Sequence, residues 1–202
     1  MRIDQLVRCV EFPCQDTRRD RYLLPRAEVD PAGISVMVIA EAAAGNLSDD
    51  FYAGPEALFA QTTLLAFQEA GVQAASIQGL LDRGIYLTTA IKCGKAAYGI
   101  APASVEHCSY LLEKEISLFP GIQAYLLMGD VAIRALNAIA RRNREPRVVP
   151  AGSTYKIRGG AFTFRGARAF PSYLQAGPSF FIEKSKRRMI AEDIAQALSL
   201  IK

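Results

Sequence analysis

The hydrophobic and polar positions of the chain alternate in blocks that predict strands separated by helices. Four apolar runs predict buried strands, at residues 34–40, 85–91, 122–128 and 166–170. Segments with apolar residues at helical spacing lie between or after them, at residues 55–71, 76–82, 102–119, 130–140 and 182–200. This order predicts an α/β fold, a three-layer α/β/α sandwich with a central, mainly parallel four-stranded sheet. A hairpin is also predicted, between residues 155–157 and 162–164.

The stretch from residue 34 to residue 54 is the main candidate for chemistry. Its apolar run breaks into Glu41, several small residues and then an acidic and an aromatic pair, Asp49, Asp50, Phe51 and Tyr52. In open α/β sheets, ligands bind at loops that leave the carboxyl ends of strands. A carboxylate, small residues and an aromatic ring suit a flat, polar ligand, and a plain surface loop is the alternative.

Composition limits the classes of protein that fit. The 202 residues are 50% hydrophobic and 22% charged, an ordinary globular mixture, so a single domain over 1–202 is expected. No apolar run is long enough to span a membrane, and the first residues lack the apolar core of a signal peptide. A cytoplasmic location is therefore expected. Separately, the chain is expected to be a monomer. The net charge of +4 is compatible with a polyanionic partner.

The four cysteines are Cys9, Cys14, Cys93 and Cys108. An intracellular location argues against disulfides, and the spacing is not that of a zinc ribbon, which needs two short pairs. On spacing alone, buried or free thiols are the default interpretation.

Four segments carry a resemblance to a known family. They read Ala-Glu-Ala-Ala-Ala-Gly at 40–45, Tyr-Leu-Thr-Thr-Ala-Ile-Lys-Cys at 86–93, Leu-Met-Gly-Asp-Val-Ala at 127–132 and Phe-Pro-Ser at 170–172. In order and rough spacing they are similar to motifs of the uracil-DNA glycosylase superfamily, especially its iron–sulfur-containing bacterial and archaeal branch. The resemblance covers nearly the whole chain and implies the same α/β fold.

The resemblance also implies a pocket that takes a base flipped out of DNA. Glu41 is the candidate catalytic residue, and the candidate base-binding residues are Ala42, Tyr52, Thr89, Phe170 and Ser172. Tyr52 takes the place of a stacking phenylalanine. Thr89 replaces an asparagine that pairs with uracil, and Phe170 replaces the histidine that donates to the departing base. These departures argue against uracil excision by the family mechanism.

In the family branch, four cysteines hold a [4Fe–4S] cluster. The resemblance implies that Cys9, Cys14, Cys93 and Cys108 are its ligands here, since four thiolates are the usual complement. Such a cluster would fix the N-terminal arm, which carries little core of its own. His107, the single histidine, is interpreted as a surface residue or a neighbour of the cluster.

Basic residues open the predicted last helix, at Lys184, Lys186, Arg187 and Arg188. Cations near a helix N-terminus oppose the macrodipole, so a reason other than local stability is needed. In the family, the preceding loop, here 175–179, enters DNA. Phosphate binding is therefore predicted for these four residues, and a solvated charged face is the alternative.

Three functions follow from the sequence. The leading hypothesis is a divergent uracil-DNA glycosylase-like protein that binds DNA, with excision of a damaged or deaminated base as its candidate activity. The second is a non-catalytic nucleic-acid-binding iron–sulfur protein with a degenerate active site. The third is an iron–sulfur protein that uses the fold for a purpose unrelated to DNA.

Overall fold

The four apolar runs form the centre of a larger sheet in the computed structural model, which describes residues 1–201. The strands are β1 (Thr17–Arg18), β2 (Val36–Ala43), β3 (Ile85–Lys95), β4 (Ala124–Met128), β5 (Phe162–Phe164) and β6 (Ala167–Ser172). Their spatial order is β1-β3-β2-β4-β6-β5. The inner four strands are parallel, as predicted, whereas β1 and β5 add antiparallel edges. The sheet is thus mixed and has six strands, not four.

Helices cover both faces of this sheet, which confirms the three-layer α/β prediction. They are α1 (Ile3–Leu6), α2 (Leu58–Glu69), α3 (Ile77–Leu81), α4 (Pro102–Ile116), α5 (Asp130–Arg142), α6 (Thr154–Ile157), α7 (Ser179–Ile182) and α8 (Lys184–Leu198). The α4 and α5 helices pack on one face, and α2, α3 and α8 pack on the other. None of the helices within residues 1–201 is long and apolar enough to cross a membrane.

The continuous apolar run of β2 has a direct structural reason. Met37 and Ile39 belong to the core beneath α4 and α5, whereas Val36 and Val38 belong to the core beneath α2 and α8. All four side chains are fully buried. A strand covered on both faces must be apolar at every position, so the strand shows no alternation in the sequence.

The predicted hairpin between residues 155–157 and 162–164 is wrong. Residues Thr154–Ile157 form the short helix α6, and β5 pairs instead with β6. The turn between these strands is Arg165-Gly166, where both residues have positive φ, 49° and 86°. A two-residue hairpin turn of type I′ requires positive φ at both central positions, so this turn sets the pairing.

The N-terminal arm packs against the body of the domain. Ile3, Val7, Leu24 and Val29 are buried in the core that contains α4 and α5. The terminal amino group donates to the Val29 carbonyl at 2.7 Å, and β1 pairs with the last two residues of β3. Apolar packing and edge pairing therefore fix the arm, in addition to any contribution from its cysteines.

Candidate functional site

The candidate site lies where the strand order reverses. The connection from β2 leads to β3 on one side of β2, and the connections from β4 lead to β5 and β6 on the other side of the sheet. The strand order therefore reverses between β2 and β4. Ligands of open α/β proteins bind in the crevice at the carboxyl ends of such strands. Glu41 lies near the end of β2, and Gly129 directly follows β4. These two residues meet in the crevice.

A side chain at residue 129 would have to displace the carboxylate of Glu41. A Cβ atom built on Gly129 would lie 2.5 Å from Oε1 of Glu41. Gly129 also has φ of +99°, a conformation that glycine adopts without strain. Both the positive φ and the close approach of the carboxylate therefore favour glycine at residue 129.

The carboxylate of Glu41 forms an ion pair with the last residue of β3. Nζ of Lys95 lies 2.5 Å from Oε2 of Glu41, and the side chains are 29% and 15% exposed. The pair is therefore sheltered but open to solvent on one side. A carboxylate held in this way can accept hydrogen bonds from a water molecule or from the polar edge of a ligand.

This ion pair lines a cavity of about 610 Å³ at the carboxyl edge of the sheet. Its walls come from the ends of β3 and β4, the start of α5, and the segment from Tyr173 to Ile190. The charged side chains in the wall are Glu41, Lys95, Asp130, Arg134, Glu183, Lys186 and Arg187. The volume falls in the range of ligand pockets, roughly 300–1,000 Å³. We call it the Glu41 cavity.

Two of the four predicted DNA-binding residues reach this cavity. Lys186 lies over the Tyr173 ring and pairs with Glu183 at 2.6 Å. Arg187 pairs with Glu69 of α2 and also lines the wall. The other two, Lys184 and Arg188, are exposed on the adjoining surface of α8, where Arg188 lies 3.5 Å from Glu192. All four therefore lie at or beside the opening.

Phe170 and Ser172 do not line the Glu41 cavity. Phe170 is 3% exposed and belongs to the core beneath α8. Ser172 is fully buried, and its hydroxyl donates to Asp193 at 2.6 Å. Burial raises the pKa of Asp193. The carboxylate of Asp193 also forms an ion pair with Arg158 at 2.8 Å. Ser172 thus joins β6 to α8 beneath the site.

Tyr52 is held at the outer edge of β3, away from Glu41. Its hydroxyl donates to the Leu87 carbonyl at 2.9 Å and accepts from the Leu87 amide at 3.1 Å. The ring lines a separate groove of about 400 Å³ with Phe51 and Ile77. The hydroxyl satisfies backbone groups of β3 that β1 does not reach, because β1 pairs only at Gly94 and Lys95.

The two remaining candidate base-binding residues also lie outside the cavity wall. Thr89 is 5% exposed, and its hydroxyl donates to the Ile91 carbonyl at 2.9 Å. Ala42 is 6% exposed and packs in the core beneath α4 and α5. The structure therefore brings Glu41 together with Lys186 and Arg187, but not with the predicted base-binding set.

The four cysteines, which lie far apart in sequence, line one small cavity. They come from the N-terminal arm, β3 and α4, and all are free thiols. Burial raises the pKa of Cys93 to about 12 and that of Cys108 to about 11. His107, Tyr22 and Lys92 also line this cysteine cavity. The single histidine thus lies with the cysteines and not with Glu41.

The cysteine cavity gathers four thiols but encloses only about 10 Å³. Over residues 1–201, no three His, Cys, Asp or Glu side chains form a site for one metal ion. Four thiolates are the usual ligand set of a [4Fe–4S] cluster, so these cysteines are the residues that could hold one.

A buried ion pair lies behind the cysteine cavity. Nζ of Lys92 lies 2.5 Å from Oε2 of Glu115, and both side chains are fully buried. Lys92 also donates to the Thr88 hydroxyl and the Thr89 carbonyl, while Tyr86 and Thr88 donate to Oε1 of Glu115. Every charged atom of the pair therefore has a partner, as a buried pair requires.

Comparison with known proteins gives one informative match. No family model matches the chain. A 77-residue segment is 29% identical to a type-5 uracil-DNA glycosylase from Thermus thermophilus, and it covers 38% of this chain. This match supports a relationship to the uracil-DNA glycosylase superfamily. The matched segment spans about a third, 35%, of the length of the Thermus protein.

Sequence reasoning did not assign Lys95, Gly129 or Arg134 to the site, although all three line the Glu41 cavity. Lys95 and Gly129 stand at the ends of apolar runs, which is a usable signal once the strand order is known. The strand order cannot be predicted from the apolar runs, because it depends on which side of β2 each later strand joins the sheet. Arg134 lies on α5 and carries no signal of its own beyond the spacing that places it in the first turns.

Proposed function

We propose that this chain is a divergent uracil-DNA glycosylase-like protein that binds DNA and excises a damaged or deaminated base in the Glu41 cavity. The observation that carries the proposal is the Glu41 carboxylate at the strand-order reversal, paired with Lys95 and open to a cavity whose wall carries four basic and three acidic side chains. The match to a type-5 uracil-DNA glycosylase supports the same assignment. DNA is the proposed partner.

Base excision is hydrolysis of the bond between the base and the sugar carbon C1′. The bond breaks with its electron pair going to the base, and the oxygen of a water molecule bonds to C1′. In our proposal the Glu41 carboxylate orients that water and accepts its proton, and the Lys95 ammonium stabilises the negative charge on the departing base. A preorganised donor of this kind contributes about 3–4 kcal/mol of barrier lowering.

One observation favours the second function, a non-catalytic nucleic-acid-binding protein. Phe170, at the position of the family histidine, is buried in the core and has no donor. His107 lies at the cysteine cavity. A protein that retains the basic opening but lacks a sufficient donor for the leaving base would bind DNA without cleaving it.

The excision test uses oligonucleotides that carry uracil, hypoxanthine, xanthine or an oxidised base, with strand scission by alkali as the readout. We expect cleavage of at least one substrate and its loss in Glu41→Gln. Glu56→Gln is the matched control, because Glu56 is exposed and outside the cavity. Intact substrates throughout, with DNA still bound, would establish the non-catalytic function instead.

The DNA face is tested by binding affinity at several salt concentrations. We expect Lys184→Ala with Arg187→Ala to weaken binding and to flatten its salt dependence, since phosphate contacts release counterions. Arg83→Ala with Lys114→Ala removes the same charge from exposed positions elsewhere and serves as the control. Equal effects of the two double variants would show that α8 is not the DNA face.

We further propose that Cys9, Cys14, Cys93 and Cys108 hold a [4Fe–4S] cluster, whose bound form would fasten the N-terminal arm to β3 and α4. Anaerobically purified protein should be brown and contain equal amounts of iron and acid-labile sulfide. Cys93→Ala should lose both. A colourless protein whose four thiols all react with a thiol reagent would contradict the proposal.

A further inference from the structure

A second concave surface lies beside the Glu41 cavity, between α4, α5 and residues 144–147. It encloses about 500 Å³. Its floor includes the buried side chains of Val105 and Ala138, and its rim carries four arginines, Arg134, Arg141, Arg144 and Arg147. We call this surface the arginine groove. It has the volume of a ligand site and a strongly basic rim.

The carboxylates of the groove and two of its four arginines are already paired. Arg134 pairs with Asp130 at 2.7 Å, and Glu106 pairs with Arg141 and, at 3.4 Å, with Arg142. Glu145 pairs with Arg165 of the β5–β6 turn at 2.9 Å. Neither carboxylate is therefore free to balance the remaining charge on the rim.

Arg144 and Arg147 supply that remaining charge. Over residues 1–201, no carboxylate lies within ion-pair distance of either guanidinium. Arg147 uses only its Nε, which donates to the Val149 carbonyl at 3.0 Å. Both side chains are exposed at the rim, so their remaining donors face the groove or solvent.

The fold does not account for these two arginines. Cations in the last turn of a helix stabilise its dipole, which explains Arg141 and Arg142 at the end of α5. The effect fades beyond that turn, and Arg144 and Arg147 lie past it. Arg144 also has φ of +58°, a position after a helix where glycine or asparagine is usual. A helix-capping role would be better filled by those residues.

We propose that the arginine groove binds phosphodiester groups of a nucleic-acid strand that extends from the Glu41 cavity. Arg134 connects the two sites, because it lines both and donates to the Ile100 carbonyl at 3.2 Å in the wall between them. Guanidinium groups suit phosphate because they offer several donors in one plane. The proposal deepens the proposed function and rests on its DNA binding, but not on base excision.

The test measures affinity for a labelled duplex and for a single strand over a range of salt concentrations. For Arg144→Ala with Arg147→Ala, we expect the slope of log affinity against log salt to fall by about 0.9 for each duplex phosphate that is no longer neutralised, or about 1.8 for the pair. Arg144→Lys with Arg147→Lys keeps the charge and should retain most of the slope. Arg8→Ala with Arg83→Ala removes two exposed arginines elsewhere and should leave it unchanged.

An unchanged slope in the folded Arg144→Ala, Arg147→Ala protein would overturn the groove proposal, as would an equal fall in the Arg8, Arg83 control. Calorimetric titration with inorganic phosphate checks the other source of this chemistry. If inorganic phosphate binds only when Arg144 and Arg147 are present and the DNA slope is unchanged, the ligand of the groove is a free anion and not a nucleic-acid strand. That result would refute the proposal. If excision persists while the slope is unchanged, the groove proposal fails and the proposed function stands. If the slope depends on the groove but no base is excised, the groove proposal stands and the proposed excision fails.

Discussion

Lys92→Met is expected to destabilise the protein strongly, because it leaves a buried charge without a partner. Methionine keeps most of the length of the lysine stem but removes the ammonium group that lies 2.5 Å from Glu115. Both side chains are fully buried, so no solvent can compensate. Breaking a buried pair on one side destabilises by about 3–5 kcal/mol. This is a large part of the roughly 5–15 kcal/mol that stabilises an ordinary domain.

Urea unfolding followed by circular dichroism measures this loss, since the chain has no tryptophan for fluorescence. Lys114→Met is the control on α4, where an exposed lysine should change stability by less than about 0.5 kcal/mol. The double variant Lys92→Met, Glu115→Leu should recover part of the loss, because it removes the unpaired charge. A loss below about 1 kcal/mol for Lys92→Met would refute the reasoning, since exposed pairs already account for that much.

Three further substitutions test individual contacts. Gly129→Ala should destabilise by about 1–3 kcal/mol through its φ of +99°. Its Cβ should also displace Glu41, so that excision falls by about 100-fold for a shift of ~1 Å; unchanged excision would contradict the placement of Glu41. Burial raises the pKa of Asp50 from its ordinary value of 3.8 to about 6. The protonated carboxyl therefore stabilises the fold below pH 3.8, and this contribution to the free energy of unfolding is lost as the pH rises through 6. Asp50→Asn should therefore gain up to about 3 kcal/mol over wild type at pH 7 and nothing below pH 4, as measured by urea unfolding at both pH values. Tyr52→Phe should lose about 1–3 kcal/mol and the hydrogen-exchange protection of the Leu87 amide, and retained protection would show that another group serves that edge.

The parallel centre of the sheet could be predicted because burial on both faces leaves a continuous apolar run. The edge strands could not. Thr17–Arg18 is only two residues long and pairs at the end of β3, so its sequence has no strand pattern. The sequence locates β5 correctly but predicts the wrong partner for it, because Gly159-Gly160 is a stronger turn signal than Arg165-Gly166. Positive φ at an arginine cannot be read from composition.

The position of the candidate site could be predicted from the sequence, but most of the residues that line it could not. Glu41 follows an apolar run, and the ends of such runs meet at the ligand-binding edge of a parallel sheet. Its contacts with Lys95 and Gly129 depend on strand order, which a single sequence does not specify. Tyr52 lies only a few residues from that edge in sequence. Its hydroxyl nevertheless bonds the backbone of β3, because an unpaired strand edge needs partners for its amides and carbonyls.

The last residues of β3 contribute to the buried ion pair, the cysteine cavity and the Glu41 cavity. Lys92 pairs with Glu115 in the core, Cys93 lines the cysteine cavity, and Lys95 pairs with Glu41. Only Gly94 separates the last two, and its Cα is closely packed, since a Cβ there would lie 3.0 Å from Arg21. Because Cys93 and Lys95 are only two residues apart on β3, we expect a change at Cys93 to reach the Glu41–Lys95 pair, so that DNA affinity and excision fall together in Cys93→Ala.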